Sequence, residues 1–144
     1  SDESQVVFEL GSDGALLDRR RDLIYVVKER DAQQLYRISG LRPTLAGNLQ
    51  LDIRDLSAWV DAAGVSKDLS AITVEPDSGH LLLLSDESQV LFELGSDGAL
   101  LDRRSLRAGG GLDADIPQPE GVVLDSRGEL FVVSEPNLFY RFVR

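Results

Sequence analysis

Residues 68–104 read DLSAITVEPDSGHLLLLSDESQVLFELGSDGALLDRR, and this stretch decides the fold. It predicts four short strands: A at Leu69–Val74, B at His80–Leu84, C at Gln89–Leu94 and D at Ala99–Arg104. Each alternates or runs apolar over a strand's length. Turn residues stand between them, at Asp77-Ser78-Gly79 and Ser96-Asp97-Gly98, where Asp and Ser bond nearby backbone and Gly supplies positive φ. The connections are too short for crossovers, so consecutive strands pair antiparallel in a four-stranded meander.

The same pattern recurs on both sides. Downstream, strand A falls at Gly121–Leu124, B at Glu129–Val133 and C at Leu138–Val143, with no D. Upstream, Ile24–Val27 and Leu35–Ile38 read as B and C, and Leu49–Ile53 as D. Residues 1–20, SDESQVVFELGSDGALLDRR, repeat residues 85–104 with only Val7 against Leu91 different. Such identity points to a recent duplication or a deliberate graft. Four short strands per unit, repeated along the chain, mark the blades of a β-propeller. A jelly roll or immunoglobulin sandwich does not repeat its sequence. The fold class expected is therefore all-β, with propeller-type four-stranded antiparallel blades. The strands number twelve, about three blades' worth, in an incomplete ring.

The blade boundaries look broken. After Arg104 come 22 residues, Ser105–Ser126, with a Gly-rich loop and an A strand. After the matching Arg20 the chain runs straight into Arg21-Asp22-Leu23, so the first junction is expected to lack an A strand. The organisation reads as 1–20, a duplicated strand pair; 21–67, a partial blade with a long connection; 68–104, a complete blade; and 105–144, a blade without its outer strand. Within the connection, Ser57–Ala63 reads either as a short helix with Ser57 as N-cap and Trp59 facing inward or, the favoured reading, as part of a structured loop covering an edge.

Composition sets the outer limits. The 144 residues are 42% hydrophobic, enough for a packed core. A net charge of −10 opposes binding to a phosphate backbone, so no nucleic-acid partner is expected. The absence of Cys excludes disulfides and thiolate chemistry, and the one His excludes two-His metal motifs. No apolar run approaches the roughly 18 residues of a membrane span. The chain has no Met, which fits a processed, excised or engineered origin.

Several segments resemble the SdiA-regulated (YjiK-like) family of bacterial six-bladed propellers. They are Asp68–Pro76, His80–Glu87, Pro119–Asp125, Gly128–Val133 and Ser134-Glu135-Pro136-Asn137-Leu138-Phe139. The Glu120-Gly121 start of strand A and the Ser134–Asn137 exit of strand B are the most specific. The resemblance implies a bacterial, cell-envelope or periplasmic origin and an undefined biochemical role. It also implies that this chain carries about half a ring.

Half a ring leaves apolar blade faces and strand edges open. A homo-oligomer is therefore expected, either a dimer completing a ring or a pairing of edges. Residues 15–20 are a candidate for the missing outer strand of the 119–144 blade.

Antiparallel pairing puts the start of A beside the end of B. That places Glu120 near Glu135, and Asp68 near Asp86 and Glu87. Such carboxylates suit Ca²⁺, a hard cation that takes oxygen ligands, or they are simply solvated strand ends. The four candidate metal residues are Glu120, Glu135, Asp68 and Asp86. The Ser1–Ser4 and Ser85–Ser88 segments read as hairpin turns or acidic binding loops. Gly109-Gly110-Gly111 with Asp113 and Asp115 lacks the P-loop ending and the EF-hand spacing, so it reads as a connection. Arg19-Arg20-Arg21 and Arg103-Arg104 with Arg107 are expected to meet carboxylates of a neighbouring blade or chain. His80 has no nucleophile motif to serve. The expectation is a non-enzymatic scaffold or binding module that self-associates through blade edges. The alternative is a metal-assisted hydrolase or lactonase using channel carboxylates.

Overall fold

A computed structural model describes residues 6–10, 13–28, 34–65 and 68–143. The Ser1–Ser4 segment lies outside them. Three antiparallel sheets follow one another along the chain. The first is β1 (Val6–Leu10), β2 (Asp13–Asp18), β3 (Leu23–Lys28), β4 (Gln34–Ser39) and β5 (Asp52–Asp55), side by side in that order. Two short helices, α1 (Leu41–Leu45) and α2 (Ser57–Ala62), flank β5 in the chain. The second sheet is β6 (Ala71–Val74), β7 (Leu81–Ser85), β8 (Val90–Leu94) and β9 (Leu100–Ser105). The third has three strands, β10 (Pro119–Leu124), β11 (Leu130–Ser134) and β12 (Leu138–Phe142). The fold is all-β, and its sheets are the blades of an incomplete propeller.

The inner strands line up from blade to blade: β2 packs on β6, and β6 on β10. One apolar core joins blades 1 and 2, and includes Leu16, Val27, Leu35, Ile72, Leu83 and Phe92. A second joins blades 2 and 3, around Leu84, Leu91, Ile116, Val122 and Val132. Each fully buried leucine-sized side chain contributes on the order of 1.5–3 kcal/mol, so stacking of blade on blade is the main cohesive force.

The first junction differs from the sequence expectation. It does not lack an A strand, because β2 takes that place. Asp18 pairs with Leu23 across a turn, and Leu16 with Tyr25. The buried Asp18 carboxylate accepts from the Arg21 backbone N–H at 3.2 Å and its guanidinium at 3.0 Å, which closes the turn. With β1 on one side and β3 on the other, β2 is also not the outer strand of the third blade. Burial of Leu16 against blade 2 holds it in its own sheet.

Blade 1's outer strand starts later than the apolar pattern suggests, at Asp52 rather than Leu49. The preceding residues turn through α1 instead. Gly40 enters that helix at φ 79°, and a Cβ there would lie 1.9 Å from the Gln50 carbonyl oxygen. Pro43 is tolerated because a first-turn N–H has no intrahelical acceptor. The second helix forms, in place of the favoured loop, and its N-cap is Leu56, with no side-chain cap bond. The Ser57 hydroxyl is engaged elsewhere, accepting from the Leu35 N–H at 3.2 Å. Trp59 does turn inward, against the blade 1–2 core and over Gly98. No helix among the described residues is long and apolar enough to cross a membrane.

Candidate functional site

The carboxylates singled out above sit where strands A begin and strands B end. Asp68 precedes β6, and Asp86 and Glu87 follow β7. The Ser70 N–H bonds the Leu84 carbonyl at 2.9 Å, which draws these two ends together. Asp68 shares a hydrogen bond with Glu87, and its carboxyl is held above the usual carboxylate range. Desolvation is the largest cause, followed by Glu87. Asp86 is raised too, by desolvation first and then by the charges of Glu87 and Glu135. The Glu135 influence crosses from blade 3 to blade 2. Desolvation, with crowded like charges added to it, accounts for both shifts.

Glu120 reaches its expected place beside the end of strand B. Pro119 pairs with Ser134 and Gly121 with Val133, and the register shifts between them, so Glu120 rides on a β-bulge. Its side chain is exposed. The structure thus groups Asp68, Asp86, Glu87 and Glu135, with Glu120 on the adjoining bulge. Among the described residues no group of three or more His, Asp, Glu or Cys side chains is arranged to hold a metal ion.

Serines frame this rim, and sequence reasoning gave Ser70 no part in it. Ser70 Oγ donates to the Pro119 carbonyl at 3.0 Å, tying the A strand of blade 2 to that of blade 3. Ser134 Oγ donates to the Pro117 carbonyl. The legible signal was the serine closing both B strands, Ser85 and Ser134, each buried.

His80 belongs to the other end. It opens β7, the strand that Asp86 leaves, and its Nδ1 lies 2.7 Å from Glu93 Oε1. About 3.3 Å of rise per residue puts that pair well over 10 Å along the blade from the carboxylate rim. The lone imidazole is therefore no acid–base partner for those carboxylates. The arginines divide likewise. Arg20 meets Asp77 of blade 2 at 3.2 Å, and Arg21 donates to the Pro76 and Asp77 carbonyls. Arg104, the counterpart of Arg20, forms an ion pair with its own strand's Asp102 at 3.1 Å. The triple glycine is a connection: Gly109 bridges to Leu112, and Asp115 accepts from the Ala108 N–H at 2.6 Å.

A second feature lies on the terminal blade. Strand pairing assigns every side chain to one of two blade faces. The face toward the next blade carries Leu16, Tyr25, Val27 and Leu35 in blade 1, all buried. In blade 2 the equivalent rows are Thr73 with Leu82 and Leu84 with Leu91, covered by blade 3. In blade 3 they are Val123 with Phe131 and Val133 with Phe139. Here Val123 is 42% exposed, Val133 45% and Phe139 66%, and Val143 beyond them 65%. Phe131 and Phe139 stack on this face with ring centroids 5.4 Å apart. Among the described residues β12 pairs only with β11, so the blade's outer edge is open as well.

In comparison with known protein families, the SdiA-regulated family matches residues 10–143.

Proposed function

We propose that this chain, a member of the SdiA-regulated family, is a non-enzymatic propeller-derived scaffold that self-associates through its open blades. The observation that carries the proposal is the third blade. Among the described residues it has three strands where the second has four, and its edge strand β12 carries the exposed Phe139, with exposed Val143 just beyond it. An open strand edge beside exposed apolar side chains is a template for pairing with another chain. Covering them removes apolar surface from water at roughly 25 cal/mol per Å².

The alternative, a metal-assisted hydrolase, draws on the carboxylate rim. It has less behind it, since those carboxylates do not surround a common point among the described residues and His80 is at the far end of its strand. The test is size-exclusion chromatography with light scattering across a concentration series. A particle of about twice the 15.8 kDa chain mass is expected. A monomer at every concentration overturns the proposal.

A further inference from the structure

Blade 1 has an open face of its own, opposite to the one it buries against blade 2. Its rows are Leu17, Ile24, Ile38 and Ile53, and beside them Val26 with Tyr36. None of these six side chains is fully buried, and Ile53 is 66% exposed. The equivalent rows of blade 2 are Val74, Leu81 and Leu94, then Ile72, Leu83 and Phe92, each at most 2% exposed under blade 1. In blade 3 they are Leu124, Leu130 and Phe142, then Val122, Val132 and Tyr140, and all of these but Leu124 join the core shared with blade 2.

The chain therefore contains the same interface twice and the two halves of a third. Blade 3 presents the forward face without a cover, and blade 1 presents the backward face without one. We propose that the open face of blade 3 is a docking surface for a second copy of this chain, which seats its blade 1 there head to tail. This rests on the self-association proposed above and names its partner and orientation. The occupant follows from the two existing interfaces. At both, a forward face of β-branched, leucine and aromatic residues is covered by a backward face of the same character. The backward face of a second copy's blade 1 has that character too. The contact joins unlike faces, so two copies satisfy both open ends only if the rotation between them closes.

Within the chain, Val27 of the forward face and Leu83 of the backward face share one core, and Leu84 and Val132 share the other. By the same correspondence, Val133 of one chain faces Val26 of the next. The absence of native Cys makes this readable without background. Val133→Cys and Val26→Cys chains are mixed and treated with a bismaleimide whose span exceeds the roughly 10 Å between stacked sheets. Circular dichroism confirms that both variants keep the parent's strand signal. The expected result is a covalent two-chain product in the mixture, and a several-fold lower yield from either variant alone. Phe139→Arg, a change at an exposed position, is expected to reduce that yield several-fold while the strand signal stays. A homotypic product from Val133→Cys alone at the yield of the mixture overturns the head-to-tail arrangement, because it brings two blade 3 faces together. Dimers by light scattering without the mixed product overturn this inference and leave self-association standing. Monomers at every concentration overturn both and assign the open faces to a different occupant.

Discussion

Asp68 and Asp86 show how a pair of blades sets the properties of single residues. Each carboxyl is raised first by desolvation and then by neighbouring carboxylates: Glu87 for both, and Glu135 of blade 3 for Asp86. A carboxyl whose folded-state pKa lies above its unfolded value holds its proton more readily in the folded state. Its ionisation therefore weakens the fold at neutral pH. The penalty is relieved as pH falls through the raised value and is gone near the ordinary 3.8 of aspartate. Glu75, Asp125 and Glu129 act in the opposite sense. Their lowered values, from bonds to Ser78, the Glu129 and Arg127 N–H groups and Arg141, contribute stability that is lost as pH falls through them. Asp68→Asn isolates the first effect, and Asn tolerates the positive φ of 26° found there. The variant is expected to be more stable than the parent at neutral pH, with the gap closing toward pH 3.8. Urea midpoints across pH measure it, and a parent that is the more stable at neutral pH contradicts the assignment.

At the scale of strands, one sequence takes two roles. Residues 90–105 pair as C and D, with Val90 opposite Ser105 and Phe92 opposite Arg103. In the upstream copy Val6 lies opposite Leu17 and Phe8 opposite Ala15, so the hairpin has slid by four positions. The slide lets β2 serve as the inner strand of blade 1, while its copy β9 is the outer strand of blade 2. Leu16 is fully buried, whereas its counterpart Leu100 is 44% exposed. Strand pairing depends on the neighbours available more than on intrinsic preference. Leu16→Ala is expected to cost about 2–5 kcal/mol, as for other buried leucines. Leu100→Ala is expected to cost less than about 1 kcal/mol. Chemical denaturation of the two variants reads the difference directly, and equal losses argue against the two placements.

For the whole molecule, association has to overcome charge. Each chain carries a net −10, so two copies repel. Salt screens that repulsion, with a Debye length of about 10 Å at 0.1 M, while it leaves the proposed apolar contact of Phe139 and Val133 intact. Self-association is therefore expected to tighten several-fold as sodium chloride rises from about 0.02 to about 0.5 M. Sedimentation equilibrium measures the change. Weakening with salt points instead to an interface held by ion pairs.

The sequence by itself determined the strand pattern, the blade repeat and the meeting of strand ends that gathers Asp68, Asp86 and Glu87. All of these follow from period-two apolar alternation and Gly-containing turns, which act over a few residues. It also placed Glu120 beside Glu135's strand exit, because antiparallel pairing leaves no other choice. Tertiary structure decided what local pattern leaves open. It put β2 in the inner position that the first junction was expected to lack, moved the N-cap from Ser57 to Leu56, and set Glu135 against Asp86 across two blades. It also separated His80 from the rim and left Val133 and Phe139 open where Leu84 and Leu91 are covered. The physical reason is the same in each case. A repeated sequence fixes which side chains share a face, and only the neighbouring blade determines whether that face is buried.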